Sequence, residues 1–294
     1  MEYTVNNYNV KLTESEFKKM AKLIYDRTGI FLPESKLSLL SNRLRRRLRA
    51  LKLETFTDYY TLLCDAARCE DELPFFLSAV TTNETYFFRN PNLWNFFRDT
   101  WIKSIANRSN KTVRIWSAAS SSGEEAYTSA ICLRECLPKV SDWKVTIVGT
   151  DISQNMLTKA REAVYNDYAV SKIEPSSLRR WFRKVDENYQ LRDEITSMVN
   201  FQFHNLRDPM KGGPFDFVFL RNVLMYFDNP MKITVIKNVT DATKTGGNVY
   251  VGDVDPIRST PELRENIELD YCGPNLYEKP GVESNARRLQ TTEA

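Results

Sequence analysis

VRIWSAASSSGEEAY, residues Val113 to Tyr127, changes character twice within fifteen positions. A β-branched apolar run (Val113, Ile115, Trp116) gives way to small residues and a single glycine, and two carboxylates then open a segment carrying Tyr127, Ile131 and Leu133 with helical spacing. This is the pattern of a strand, a tight turn and a helix N-terminus. In a parallel α/β sheet such a junction lies at the carboxyl end of the first strand, where small ligands bind. Glu124 and Glu125 would repel a pyrophosphate, which needs amides and no nearby anions, and would attract an amino or sulfonium group. The pair can equally serve the first helical turn through the macrodipole, and both readings stand at this point.

A second buried-type run, Val145 to Gly149, ends at Thr150-Asp151-Ile152-Ser153. An acid just past the second strand is placed to accept hydrogen bonds from both hydroxyls of a ribose, although Asp151 or Ser153 could also cap the helix that follows. The helix from Tyr127 to about Pro138 completes a right-handed β-α-β unit. Further strands are predicted at Val199 to Phe203, at Phe215 to Leu220, and at Asn248 to Gly252 after a Gly246-Gly247 turn. The fold class is therefore α/β, a doubly wound, mostly parallel, Rossmann-like sheet. Residues 166–198 fit the alternation poorly and read as a small inserted subdomain of antiparallel strands.

Residues 1–78 read as wholly helical. Phe17, Met20, Leu23 and Ile24 follow a 3.6-residue period that Gly29 ends, and a second helix runs from about Glu34 to Leu51. Residues 79–90 form a linker, 91–280 the α/β domain, and the polar stretch 281–294 is predicted to be a disordered tail. No apolar run reaches membrane-spanning length, and the first residues lack the regions of a signal peptide, which predicts a cytosolic protein. Five cysteines make no even framework and are expected as thiols. With His204 the only histidine, neither a zinc site nor a Ser-His-Asp hydrolase is expected. His204 reads as a satisfied, partly buried residue without a role.

Thr81 to Arg89 (TTNETYFFR) is too polar for helix packing and too aromatic for a loose linker. Phe215 to Asp228 (FDFVFLRNVLMYFD) is a buried strand followed by Arg221-Asn222 and a turn presenting Tyr226. Together with SSSGEEAY and GTDIS, these segments resemble the CheR-type chemotaxis receptor methyltransferases over roughly residues 12–278. The resemblance implies a protein-glutamate O-methyltransferase that uses S-adenosylmethionine and releases S-adenosylhomocysteine, with no metal. It implies that Asn83, Thr85 and Arg89 line the cofactor site, with Arg89 near the methionine carboxylate and the methyl. By the same resemblance Glu125 meets the cofactor's amino end, Asp151 the ribose, Asn205 and Leu206 the adenine, and Arg221 and Asn222 make a further cofactor contact. Tyr226 stands beside the methyl group. The implied partners are the cytoplasmic helices of chemoreceptors, reached by a cytoplasmic monomer recruited to receptor clusters at the membrane. Two departures stand out: Ala126 replaces the family's proline, and Gly252-Asp253-Val254-Asp255 replaces Gly-His-Ser-Glu, so no contact is carried across that stretch.

The chemistry suits the residues that are absent. A glutamate side chain, with an ordinary pKa of about 4.3, is already anionic near neutral pH, so methyl transfer from a sulfonium needs no general base. Arg89 and Tyr226 are then positioning groups. In the second helix Leu37, Leu40, Leu44, Leu48 and Leu51 form one stripe, while Arg43, Arg45, Arg46, Arg49 and Lys52 spread over the other faces with no acid between Lys36 and Lys52. Such a block predicts docking of an acidic partner. A nucleic-acid methyltransferase is the rival. A net charge of only +3 and the poor amino-methylating motif Asp228-Asn229-Pro230-Met231 argue against nucleic acid. A scaffold that has lost turnover is a second alternative.

Overall fold

The computed structural model describes residues 10–252 and 256–281. The divergent Asp253-Val254-Asp255 stretch and the tail beyond Gly281 lie outside them. Four helices come first. In α1 (Glu14–Thr28), Thr13 and Glu16 form a reciprocal capping box and Gly29, at φ 77°, closes the helix. One 3₁₀ turn (Glu34–Lys36) leads into α2 (Leu37–Leu51), followed by α3 (Phe56–Cys64) and α4 (Leu73–Val80). Past the linker, α5 (Pro91–Phe96) continues through a π-helical stretch (Phe97–Ile102) into α6 (Lys103–Ile105).

The α/β part begins with β1 (Thr112–Ala118), α7 (Glu124–Cys136), β2 (Lys144–Asp151) and α8 (Gln154–Glu162). The insertion follows: β3 (Val164–Tyr165), α9 (Asp167–Val170), α10 (Pro175–Trp181), β4 (Phe182–Val185), β5 (Asn188–Leu191) and α11 (Asp193–Thr196). It does contain an antiparallel sheet, ordered β3-β5-β4, yet three short helices share the segment. The chain returns through β6 (Val199–Phe203), β7 (Phe215–Leu220), α12 (Asn229–Ala242), β8 (Thr243–Tyr250), α13 (Pro256–Ser259) and α14 (Pro261–Asn266). A hairpin of β9 (Asp270–Gly273) and β10 (Leu276–Glu278) ends it.

The main sheet is ordered β6-β2-β1-β7-β8-β10-β9, parallel from β6 to β8 and antiparallel at the final hairpin. One expectation is corrected here, and one element is new. Gly246 and Gly247 lie inside β8, which begins at Thr243 and ends at Tyr250, and they form an irregularity where the register against β7 jumps. Gly246 stays in the ladder because its N–H donates to the Lys279 carbonyl at 2.9 Å. The antiparallel hairpin, absent from the sequence reading, forms because Gly273-Pro274-Asn275 turns the chain, with Asn275 at φ 60°.

Side chains alternate across β7. Phe217 and Phe219 pack with Trp94, Phe97 and Trp101 on one face of the sheet, whereas Val218 and Leu220 share a core with Met20, Ile24 and Leu44 of the first two helices. The N-terminal helices thus belong to a layer of the sheet. Polar contacts pin the same junction: the Tyr25 hydroxyl donates to Asp228 at 3.1 Å, and the Phe31 N–H donates to the Tyr226 carbonyl at 2.8 Å.

Candidate functional site

Strand order reverses between β1 and β7, so the chain leaves the two strands toward opposite edges and opens a crevice at their carboxyl ends. A cavity of about 570 Å³ lies there, within the usual range of about 300–1,000 Å³ for small-ligand sites. Its walls come from the turn after β1 (Ala119 to Ser121), the ends of β2 and β6, the loop after β7 and the linker. The helical layer closes it with Thr28, Phe31, Leu39 and Arg43.

The turn after β1 explains its small residues. Ala119 and Ser121 take left-handed φ values of 66° and 50°, and Gly123 takes 94° in a place where a Cβ would fall 2.8 Å from the Phe201 ring. That path aims the Ser121 N–H at Asp151 Oδ2, 2.9 Å away, while Ser153 N–H donates to Oδ1 at 2.8 Å. Ser153 caps α8. The capping alternative for Asp151 is thereby removed, and its carboxylate, although buried and pushed above its ordinary pKa by that burial, contributes to the cavity wall.

The two glutamates part company. Glu125 lines the cavity and accepts from Ser117 Oγ at 2.7 Å and from Arg221 Nη1 at 2.9 Å. Glu124 is buried away from it, holds the Ser122 hydroxyl at 2.8 Å, and is pushed up to about 7 by desolvation. Only Glu125 is therefore available to a ligand, and its charge is shared with Arg221. Arg221 is itself buried and reaches further, donating through Nη2 to the Arg89 carbonyl at 2.9 Å.

Asn83, Thr85, Arg89, Glu125, Asp151, Asn205, Leu206, Arg221, Asn222 and Tyr226 all line this one cavity. The Arg89 guanidinium donates to the Glu84 carbonyl at 2.9 Å and lies 5.9 Å from the Tyr86 ring centroid, which folds the linker back on itself. The Asn205 amide is spent on structure, donating to the Arg27 carbonyl at 2.9 Å. Of the arginines read as a docking face, Arg43 turns inward, donating to the Val80 carbonyl and the Thr82 hydroxyl, each at 2.8 Å. Arg45 is half-buried and donates to the Asn42 side-chain oxygen, while Arg46 and Arg49 remain exposed, all three away from the cavity. The run is also less uncompensated than its sequence suggests, since Glu72, just ahead of α4, takes Arg47 at 2.6 Å.

His204 departs from expectation. It lines the cavity with its ring edge-on to Trp116, and burial lowers its pKa, yet Nε2 has no hydrogen-bond partner among the described residues. Sequence reading also missed Ser121, Phe31, Leu39 and Met225 as cavity residues. Ser121 had a signal in the run of small residues, whereas nothing local marks the other three.

Residues 83–272 match the family described as CheR methyltransferase, SAM binding domain, and residues 15–81 match its all-alpha domain. The chain belongs to the CheR methyltransferase family. CheR relatives of similar length bear this out. A probable chemotaxis protein methyltransferase of Rhizobium etli is 35% identical over 242 residues, covering 78% of this chain and 88% of that protein. The chemotaxis protein methyltransferase of Borreliella burgdorferi is 30% identical over 281 residues, covering 93% and 97%. That of Salmonella typhimurium is 34% identical over 248 residues, covering 82% and 83%.

Proposed function

We propose that this CheR-family chain transfers the methyl group of S-adenosylmethionine to glutamate side chains on the cytoplasmic helices of chemoreceptors, forming methyl esters. The carrying observation is the convergence of linker, post-β1 turn, β2 end, post-β6 loop and post-β7 loop on one cavity. The donor set fits S-adenosylmethionine: Asp151 is held by two backbone amides and keeps acceptor capacity for ribose hydroxyls, Glu125 offers an acceptor to an ammonium, and Asn205 and Leu206 would border the adenine. When bound, the cofactor supplies an electrophilic methyl on sulfonium.

The protein's own work is alignment. An ionised glutamate is the nucleophile and no residue need remove a proton; holding it in line is worth up to about 7–11 kcal/mol in effective-molarity terms. Arg89 orients carboxylates by charge-assisted hydrogen bonds, and Tyr226, bordering the cavity from the post-β7 turn, positions the acceptor oxygen. Exposed Arg46 and Arg49 on α2 steer the acidic receptor surface at the cytoplasmic face of receptor clusters. The test is transfer of tritiated methyl from S-adenosylmethionine to a chemoreceptor cytoplasmic fragment, followed by alkali. Volatile methanol is expected from the ester. Label that stays on the protein, or goes to nucleic acid, refutes the reading.

A further inference from the structure

Large apolar side chains are exposed at few places among the described residues, and three of them gather at the cavity. Phe31, Leu39 and Met225 are 51%, 42% and 64% exposed, come from the α1–α2 connection, α2 and the post-β7 turn, and all border the opening. The hydrogen bond from Phe31 N–H to the Tyr226 carbonyl fixes two sides of this rim in register. On α2, Leu39, Arg43 and Arg46 recur within an arc of about 60°, given a turn of about 100° per residue, so the apolar rim continues toward the exposed Arg46. That helix holds no acid. Nearby Glu34 is taken by Lys18 and the Glu84 carboxylate by the Tyr168 hydroxyl.

We infer that this rim is a docking surface for an acidic, amphipathic helix, on which apolar side chains one turn from the reacting glutamate rest against Phe31, Leu39 and Met225. The inference builds on the proposed glutamate methyl transfer. A glutamate projecting from a helix can enter the cavity only if that helix lies across the mouth. Residues three and four positions away share its face, with Cβ atoms about 5–6 Å apart, and must then meet the rim. Charged groups there would be desolvated against apolar surface, so the rim selects uncharged neighbours, while Arg46 favours acids farther along.

The test uses Leu39→Ser, Met225→Ser and the double variant with a chemoreceptor cytoplasmic fragment. Both side chains are exposed, so the melting temperature is expected to stay in place. KM for the fragment should rise about three- to tenfold in each single variant and more in the double, with kcat and the Kd for S-adenosylhomocysteine within twofold. This loss should persist at about 1 M salt, where the Debye length falls to about 3 Å, whereas the effect of Arg46→Glu should vanish. An unchanged KM in the double variant overturns the inference while leaving methyl transfer standing. A Kd for S-adenosylhomocysteine that weakens in parallel assigns the rim to the cofactor and overturns it too, as does sedimentation showing a wild-type dimer that the double variant dissolves. Wild-type protein that methylates no fragment overturns the function and the rim together.

Discussion

Arg221 is buried at the meeting of β7, the turn after β1 and the linker, and hydrogen bonds from its guanidinium join the Glu125 carboxylate to the Arg89 carbonyl. Its role as a cofactor contact, implied by the family resemblance, is thus supplemented by one that sequence could not display, since its partners lie 96 and 132 residues away. Removing one partner of a buried pair leaves the other charge uncompensated, at a cost of about 3–5 kcal/mol. Arg221→Met should therefore lower the unfolding free energy from denaturant titration by that order and weaken S-adenosylhomocysteine binding together, whereas a change in affinity at constant stability would mean that Arg221 acts on the cofactor alone. Glu124 answers to pH. Its folded pKa of about 7, against an ordinary 4.5, means that between these values the native state holds a proton that the unfolded chain has lost. Stability attached to this carboxyl is full below about 4.5 and falls as pH rises to about 7, by up to about 3 kcal/mol. In Glu124→Gln the Ser122 hydroxyl keeps an acceptor, so the variant should melt higher than wild type at pH 8 and about level with it at pH 5. Equal differences at both pH values would show that Glu124 does not titrate in this range.

At the scale of elements, α2 is where charge and packing separate. Leu40, Leu44 and Leu48 are buried and Arg43 and Arg47 are tied to Val80, Thr82 and Glu72, while Arg46 and Arg49 are exposed at the surface. Reversing both to glutamate should leave cofactor affinity unchanged and slow receptor methylation at low receptor concentration. The wild-type rate should fall as salt screens charges over about 10 Å at 0.1 M, and the double variant should lose most of that dependence. If it keeps both the rate and its salt response, the arginines are an ordinary solvated face. The apolar stripe of this helix was legible because periodicity is local, whereas the fate of each arginine was not, because Val80, Thr82 and Glu72 come from another helix and the linker. The same division runs through the sheet. Buried runs such as Phe215 to Leu220 announced themselves, but Gly246-Gly247 read as a turn because their pairing with Lys279 lies 33 residues downstream. The short β9–β10 hairpin was hidden for a like reason: each strand has only three or four residues and is held by a partner rather than by pattern.

For the whole molecule, the sequence divides into two parts and the packing joins them. Met20, Ile24 and Leu44 of the helical segment share a core with Val218 and Leu220 of the central strand, and Tyr25–Asp228 and Asn205–Arg27 bridge the same boundary. The family matches likewise divide near residue 82, yet the cavity takes walls from both sides of that division, so neither part alone holds the site. A shared core makes unfolding of the helical layer expose the sheet face beneath it. Thermal unfolding should then be one transition, with far-ultraviolet circular dichroism and tryptophan fluorescence giving the same midpoint. The tryptophans all lie beyond the helical segment, at 94, 101, 116, 143 and 181, so fluorescence follows the α/β part while dichroism follows both. S-adenosylhomocysteine at about 100 times its Kd should add about 2.7 kcal/mol to the stability of the folded state and move both signals upward together. Two resolved midpoints, with ligand shifting only the fluorescence, would show that the helical layer unfolds independently and that its share of the cavity wall contributes nothing to holding the cofactor.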